Sequence, residues 1–147
     1  MLTPAQILIV EKTGMRIVGT VGDTMAKALI VEDSAEYREV LKATLYSRFP
    51  RLSIAEADNA EEALRIIGLF RPQVAFVDIH LPGKMNGLQL VERLRAADEN
   101  MYIVMITSHD LPEYRTASAK MGANVFLSKS SATRHDILAA MSHIKVK

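Results

Sequence analysis

Glu32, Asp33, Asp78, Thr107 and Lys129 are the residues of this chain whose types could do chemistry together if the fold collects them. Each lies at the end of a short apolar run. Leu29-Ile30-Val31 leads into Glu32-Asp33, Val74-Ala75-Phe76-Val77 into Asp78, Tyr102-Ile103-Val104-Met105-Ile106 into Thr107-Ser108, and Val125-Phe126-Leu127 into Ser128-Lys129. Continuous apolar runs of this length mark strands buried on both faces, which belong to parallel sheets covered by helices. In such sheets ligands gather outside the carboxyl ends of the strands. Taken singly, Asp78 could cap a turn, Glu32 could be a solvated strand end and Lys129 a surface charge. Their joint placement at one end of a parallel sheet points to a site.

Carboxylates brought together repel one another, so a cluster of this kind holds a cation. Carboxylate, carbonyl and water oxygens suit Mg²⁺, which prefers octahedral oxygen coordination. A lysine ammonium and a threonine hydroxyl opposite the metal would then serve an incoming phosphate, one as a point charge and the other as a hydrogen-bond donor. The set describes phosphoryl transfer to a carboxylate, with Asp78 as nucleophile and with Lys129 and the metal neutralising charge on the phosphoryl oxygens.

The elements that must position these residues can be read in order. After the first buried strand, Ser34 is a good N-cap for a helix with Tyr37, Val40, Leu41, Thr44 and Leu45 on its apolar face, stopped near Pro50. Leu52 to Ala57 alternates apolar with polar or small residues, the pattern of a less buried strand at or near an edge. Asn59 followed by Glu62 resembles a capping box and opens a second helix through Ala63, Leu64 and Ile67. Leu88, Leu90, Val91 and Leu94 form the stripe of a third helix after the Pro82 to Gly87 loop. A fourth runs from about Pro112 to Met121 and is closed by Gly122. Ser131 or Thr133 caps a last helix carrying Ile137, Leu138, Met141 and Ile144. Alternating strands and helices of this kind build a parallel sheet wound on both faces by right-handed crossovers.

Residues 1–26 are an N-terminal extension, either a hairpin of the runs Ile7 to Val10 and Met15 to Val18 or a disordered leader. Gly14, Gly19 and Gly22 punctuate it, but no Gly-Lys-Ser/Thr follows, which excludes a phosphate loop. Met25 would serve as an alternative start. The domain proper covers residues 27–147.

Composition narrows the function classes. The 147 residues suffice for a single well-buried domain, and 49% apolar with 24% charged residues is the mixture of a soluble globular protein. The chain has no cysteine, which excludes disulfides, thiolate metal sites and cysteine nucleophiles. A formal charge of +1 without charge runs argues against nucleic-acid or membrane-surface binding. No apolar run is long enough to cross a bilayer and no signal-peptide pattern opens the chain, so the expected compartment is the cytoplasm. His80, His109, His135 and His143 are scattered without paired ligand spacing and read as surface or half-buried residues. The eight methionines read as core filler.

With these residues in place, residues 27 to 146 resemble a receiver domain of the bacterial two-component response regulator family. Ala28-Leu29-Ile30-Val31-Glu32-Asp33 is similar to the family's first strand and acidic pair, and Asp78 with Leu81-Pro82 to its phosphoacceptor strand and loop. Thr107 stands at the family's hydroxyl position, and Phe126-Leu127-Ser128-Lys129 resembles its aromatic residue and lysine. The resemblance implies a flavodoxin-like (CheY-like) α/β fold: a doubly wound, five-stranded parallel sheet of order 2-1-3-4-5 with five helices. It implies that Asp33, Asp78 and the main-chain carbonyl of His80 ligate Mg²⁺, with Glu32 assisting through water. It also implies a switch in which phosphorylated Asp78 draws Thr107 inward, Phe126 fills the vacated space, and the face formed by the fourth helix, fifth strand and fifth helix changes shape.

The implied protein is a signalling protein rather than a metabolic enzyme. It would take a phosphoryl group from a sensor histidine kinase or a histidine phosphotransfer protein and act on a downstream protein target. Homodimerisation stays open, and direct nucleic-acid binding is not expected. The chain ends one helix after Lys129, which implies a single-domain regulator. The alternatives are a phosphate-independent binding or scaffold module of the same fold, and a receiver excised from a larger transcriptional regulator or hybrid kinase. Two departures bear on these: the loop Pro82 to Gly87 carries one residue more than the family pattern, and Ser130 stands where many members have a cis proline, a geometry costing a non-proline residue roughly 3 kcal/mol.

Overall fold

The computed structural model describes residues 7–12, 15–20 and 26–144. In chain order the elements are β1 (Ile7–Lys12), β2 (Met15–Thr20), β3 (Lys27–Val31), α1 (Ala35–Arg48), β4 (Ser53–Ala57), α2 (Ala60–Phe70), β5 (Val74–Val77), α3 (Gly87–Ala97), β6 (Tyr102–Thr107), α4 (Pro112–Met121), β7 (Val125–Ser128) and α5 (Arg134–Ala139). A 3-10 turn, Ala140–His143, prolongs α5. Residues 1–6, Gly14, Gly22, the alternative start at Met25 and residues 145–147 lie outside the described residues.

The strands β4-β3-β5-β6-β7 are parallel neighbours in that order, which is the expected 2-1-3-4-5 arrangement. The sheet also continues past β4. There β2 pairs antiparallel with β4, with Arg16 at the register position of Glu56 and Val18 at that of Ile54, and β1 pairs antiparallel with β2. This corrects the expectation for β4, whose five residues are all buried rather than half-exposed at an edge. β2 runs along one side of β4, and the polar Glu56 of β4 is buried with charged partners, Arg38 and Lys42.

Side-chain alternation along each strand feeds two separate cores. Leu29, Val31, Ile103 and Met105 pack with Ala63, Ile66, Leu90, Val91 and Leu94 under α2 and α3. Ala28, Ile30, Val104 and Ile106 pack with Leu41, Leu45, Ile137 and Met141 under α1 and α5. With both faces covered, near-continuous apolar strands are what the sheet requires.

Caps fix where the helices begin and end. Ser34 Oγ accepts from the Tyr37 N–H (3.2 Å), and Asn59 Oδ1 from the Glu62 N–H (2.8 Å). Asn86 and Gln89 form a reciprocal capping box at α3, and Thr133 with Asp136 forms one at α5. Pro112 opens α4, and Gly122, at φ +112°, closes it in the left-handed conformation glycine tolerates. The apolar stripe of α1 is rotated from expectation: Val40 is 51% exposed, while Lys42 is buried against β4. Among the described residues every peptide bond is trans, including the one before Ser130. No helix among them is long and apolar enough to cross a membrane.

Candidate functional site

Parallel register carries the ends of β3, β5, β6 and β7 to one side of the sheet. Val31 is opposite Val77, Val77 opposite Met105, and Thr107 opposite Ser128. Main-chain bonds extend this order just past the strands: Glu32 N–H donates to Ala57 O (3.0 Å), Asp78 N–H to Val31 O (3.0 Å) and Lys129 N–H to Thr107 O (2.9 Å). Glu32, Asp78, Thr107 and Lys129, expected on separate strands, therefore stand at one end of the sheet, where the side chains of Glu32, Asp78 and Lys129 meet and the Thr107 main chain adjoins Lys129.

Carboxylate oxygens of Glu32, Asp33 and Asp78 lie within 4.8 Å of one another. Glu32 and Asp78 are buried and Asp33 is exposed, so the cluster opens to solvent through Asp33. Lys129 reaches in from β7: its ammonium donates to Asp78 Oδ2 (3.0 Å) and ion-pairs with Glu32 Oε1. Burial pushes the Glu32 carboxyl above its ordinary value, and the Asp78 charge adds to that push against the Lys129 ammonium and the Ser34 N–H. Burial pulls Lys129 down, but its bonds to Glu32 and Asp78 outweigh burial and leave its pKa raised, so Lys129 stays cationic. Three hard oxygen donors at this spacing, two of them buried, fit a divalent cation such as Mg²⁺.

The loop after β5 closes the pocket on one side. Ile79 is buried, His80 is exposed, and the His80 N–H points at Asp78 Oδ1 across 3.4 Å. Gly87 N–H donates to Ile79 O (2.7 Å), pinning the start of α3 against the strand end. Gly83 turns at φ +100° beside the Glu61 carboxylate, which a Cβ there would approach to 3.1 Å.

On the other side, Thr107 is fully buried, and its Oγ1 accepts from the His109 N–H (3.3 Å). Phe126 sits opposite Met105 and packs, half-buried, against the core under α2 and α3. The Arg115 guanidinium lies over its ring, 4.6 Å from the centroid, and Asp110 holds that guanidinium through two bonds of 2.6 and 2.8 Å.

Several residues of the pocket were missed from sequence. Tyr37 lies under the Lys129 ammonium, 4.5 Å from ring centroid to Nζ. Arg38 Nη1 donates to the main-chain oxygen of Glu32 (2.5 Å). The four histidines are exposed, as expected of surface residues, but His80 and His109 are not apart: their rings lie 3.9 Å from one another, and Tyr114 meets His80 edge-on at 5.7 Å. The available signal was positional, since these histidines stand two residues beyond Asp78 and Thr107 on neighbouring strands.

Comparison with known proteins agrees with this geometry. The sequence profile named "Response regulator receiver domain" matches residues 28–142. The response regulator MprA of Mycolicibacterium vanbaalenii is 30% identical over 115 residues, covering 78% of this chain and 48% of that protein. This chain spans about half the length of the curated relatives it matches. A CheY-like receiver domain protein from Methanospirillum hungatei superposes with a TM-score of 0.72 at 26% identity, over 80% of this chain and 91% of that one. A response regulator protein from Burkholderia pseudomallei, solved with a phosphorylated aspartic acid, a calcium ion and citrate, superposes with a TM-score of 0.70 at 28% identity, over 78% of this chain and 65% of that one. Fold, pocket and sequence together place the chain in the response regulator receiver domain family of two-component systems.

Proposed function

We propose that the protein accepts a phosphoryl group on Asp78 from a phosphohistidine on a sensor kinase or phosphotransfer protein, and signals the modification to a downstream protein in the cytoplasm. The observation that carries this reading is the convergence of the Glu32, Asp33 and Asp78 oxygens within 4.8 Å, with Lys129 Nζ at 3.0 Å from Asp78 Oδ2. The phosphorylated aspartate and bound calcium of the Burkholderia protein lend support by analogy.

In the transfer, an Asp78 carboxylate oxygen bonds to phosphorus as the bond from phosphorus to the histidine nitrogen breaks. The departing imidazole keeps that electron pair, and the product is an acyl phosphate on Asp78. Lys129, held cationic by its carboxylate partners, neutralises charge on the phosphoryl oxygens. Asp33, Asp78 and the main-chain carbonyl of His80 would hold Mg²⁺, with Glu32 assisting through water; when bound, the ion supplies further neutralisation of those oxygens. Thr107 then donates its hydroxyl to the new phosphoryl group, and Phe126, on the same face of the sheet, responds to its movement. Output through that movement is a population shift between two packings.

The test is incubation with Mg²⁺ and acetyl phosphate, read by intact mass for wild type and Asp78→Asn. Gain of one phosphoryl group that requires both Mg²⁺ and Asp78 is expected. No gain under conditions that label an ordinary receiver would favour the phosphate-independent binding module, with the longer Pro82 to Gly87 loop as the first suspect.

A further inference from the structure

A chain of charged contacts runs from the acidic pocket into the sheet without touching the reacting atoms. Arg38, one turn into α1, donates Nη1 to the Glu32 main-chain oxygen (2.5 Å) and Nε to Glu56 Oε1 (3.3 Å). Glu56 is 5% exposed in β4, and its other oxygen accepts from Lys42 Nζ (3.2 Å). Lys42 also pairs with Glu39 (2.7 Å). Burying a carboxylate is costly unless it is paired, and here two cations from α1 pair it.

Glu32 and Asp33 share a short connection between β3 and α1, and without a metal ion their repulsion with Asp78, offset only in part by the Lys129 ammonium, acts to push that connection outward. A loop free to yield would have to be drawn back each time a cation binds, and affinity would fall by that amount. The main chain at Glu32 is instead fixed on both sides, its N–H by Ala57 O (3.0 Å) and its carbonyl by Arg38. A guanidinium suits this task because its donors are rigidly disposed in one plane, so orienting it through Glu56 also aims Nη1.

We propose that Arg38, oriented by buried Glu56, is a positioning residue of the acidic pocket that sets its affinity for the divalent cation. The inference rests on the reading of Glu32, Asp33 and Asp78 as a Mg²⁺ site. A charge role and a positioning role have opposite signs. As a bare charge Arg38 repels a nearby cation, so its removal would tighten Mg²⁺ binding. As a positioning residue it preorganises the carboxylates, so its removal weakens binding.

The experiment is a Mg²⁺ titration of the full chain without phosphodonor, followed by backbone amide shifts, for wild type, Arg38→Met and Arg38→Lys, with thermal unfolding in EDTA alongside. The half-saturating Mg²⁺ concentration is expected to rise about 10-fold in Arg38→Met, the scale on which groups orienting metal ligands act. Arg38→Lys, which keeps the charge and loses the fork, is expected to show most of that rise. An unchanged or lower half-saturation in Arg38→Met, with or without a loss of thermal stability, overturns the proposal. Should Arg38→Met fail to fold, Arg38→Lys decides, and wild-type affinity there overturns it. A wild type that binds no Mg²⁺ overturns the underlying reading of the pocket as well, whereas equal binding by wild type and variants overturns the role of Arg38 alone.

Discussion

A Cβ built on Gly87 falls 1.9 Å from the main-chain oxygen of Asp78. The first residue of α3 is thus pressed directly onto the strand end that presents the central carboxylate. Any side chain there must displace either the helix or the Asp78 main chain. Gly87→Ala is expected to destabilise the fold by about 1–3 kcal/mol, the usual cost of overpacking. Because the displacement is centred on Asp78, labelling by acetyl phosphate should slow as well. Urea unfolding and the labelling rate check the two effects separately. An alanine variant of wild-type stability would show that the loop yields without cost.

Asp78 also carries an electrostatic cost in the metal-free protein. Its oxygens share a 4.8 Å cluster with those of Glu32 and Asp33, and Lys129 is the cation bonded to both buried members. Removing one of the clustered negative charges relieves repulsion on the scale of a single charge contact. Asp78→Asn is therefore expected to stabilise the protein in EDTA by about 1 kcal/mol. Adding Mg²⁺ should stabilise wild type more than the variant, since bound cation stabilises the state that holds it. Thermal unfolding with and without Mg²⁺ measures both. A variant less stable than wild type in EDTA would mean that the Lys129 bond outweighs the repulsion.

Thr107 is fully buried, and among the described residues its hydroxyl accepts one long bond, 3.3 Å, from the His109 N–H. Such a weakly held hydroxyl can turn towards a new acceptor on Asp78. Thr107→Val keeps the shape of the side chain and removes the donor. Labelling of Asp78 by acetyl phosphate should persist in this variant, while the amide shifts of Phe126 and its neighbours on β7 should no longer respond to labelling. A full response in Thr107→Val would remove the hydroxyl from the coupling.

How much of this was legible depended on whether a residue's environment is set locally. Runs such as Val74 to Val77 announced their burial because a strand covered on both faces has no polar side to show. Pro112 and Gly122 marked the ends of α4 because missing donors and positive φ are properties of single residues. The strand order came from family resemblance, since run lengths do not encode adjacency. β4 was misread because alternation treats polar residues as exposed, and Glu56 is buried with Arg38 and Lys42. The same contact explains why Lys42, rather than Val40, faces inward on α1. The His80 and His109 rings meet only because β5 and β6 are adjacent, a relation outside the reach of local spacing.

Tyr46 offers a pH test of the buried charges beneath α1. Burial, with the negative charge of Glu56 adding to it, pushes the phenol from its ordinary 10.0 to about 12. The folded state therefore favours the neutral phenol more than the unfolded chain does. The resulting stability is fully present below pH 10.0 and is lost as pH rises through about 12. The group is partly solvated, so the loss is discounted to about 1 kcal/mol. Urea unfolding at a series of alkaline pH values should show a constant difference between wild type and Tyr46→Phe up to the start of that window. Within the window wild type should lose ground to the variant, and a near-ultraviolet titration should lack the highest tyrosinate component in Tyr46→Phe. A difference that stays flat across the window would mean that the Tyr46 hydroxyl is bathed in solvent and does not feel Glu56.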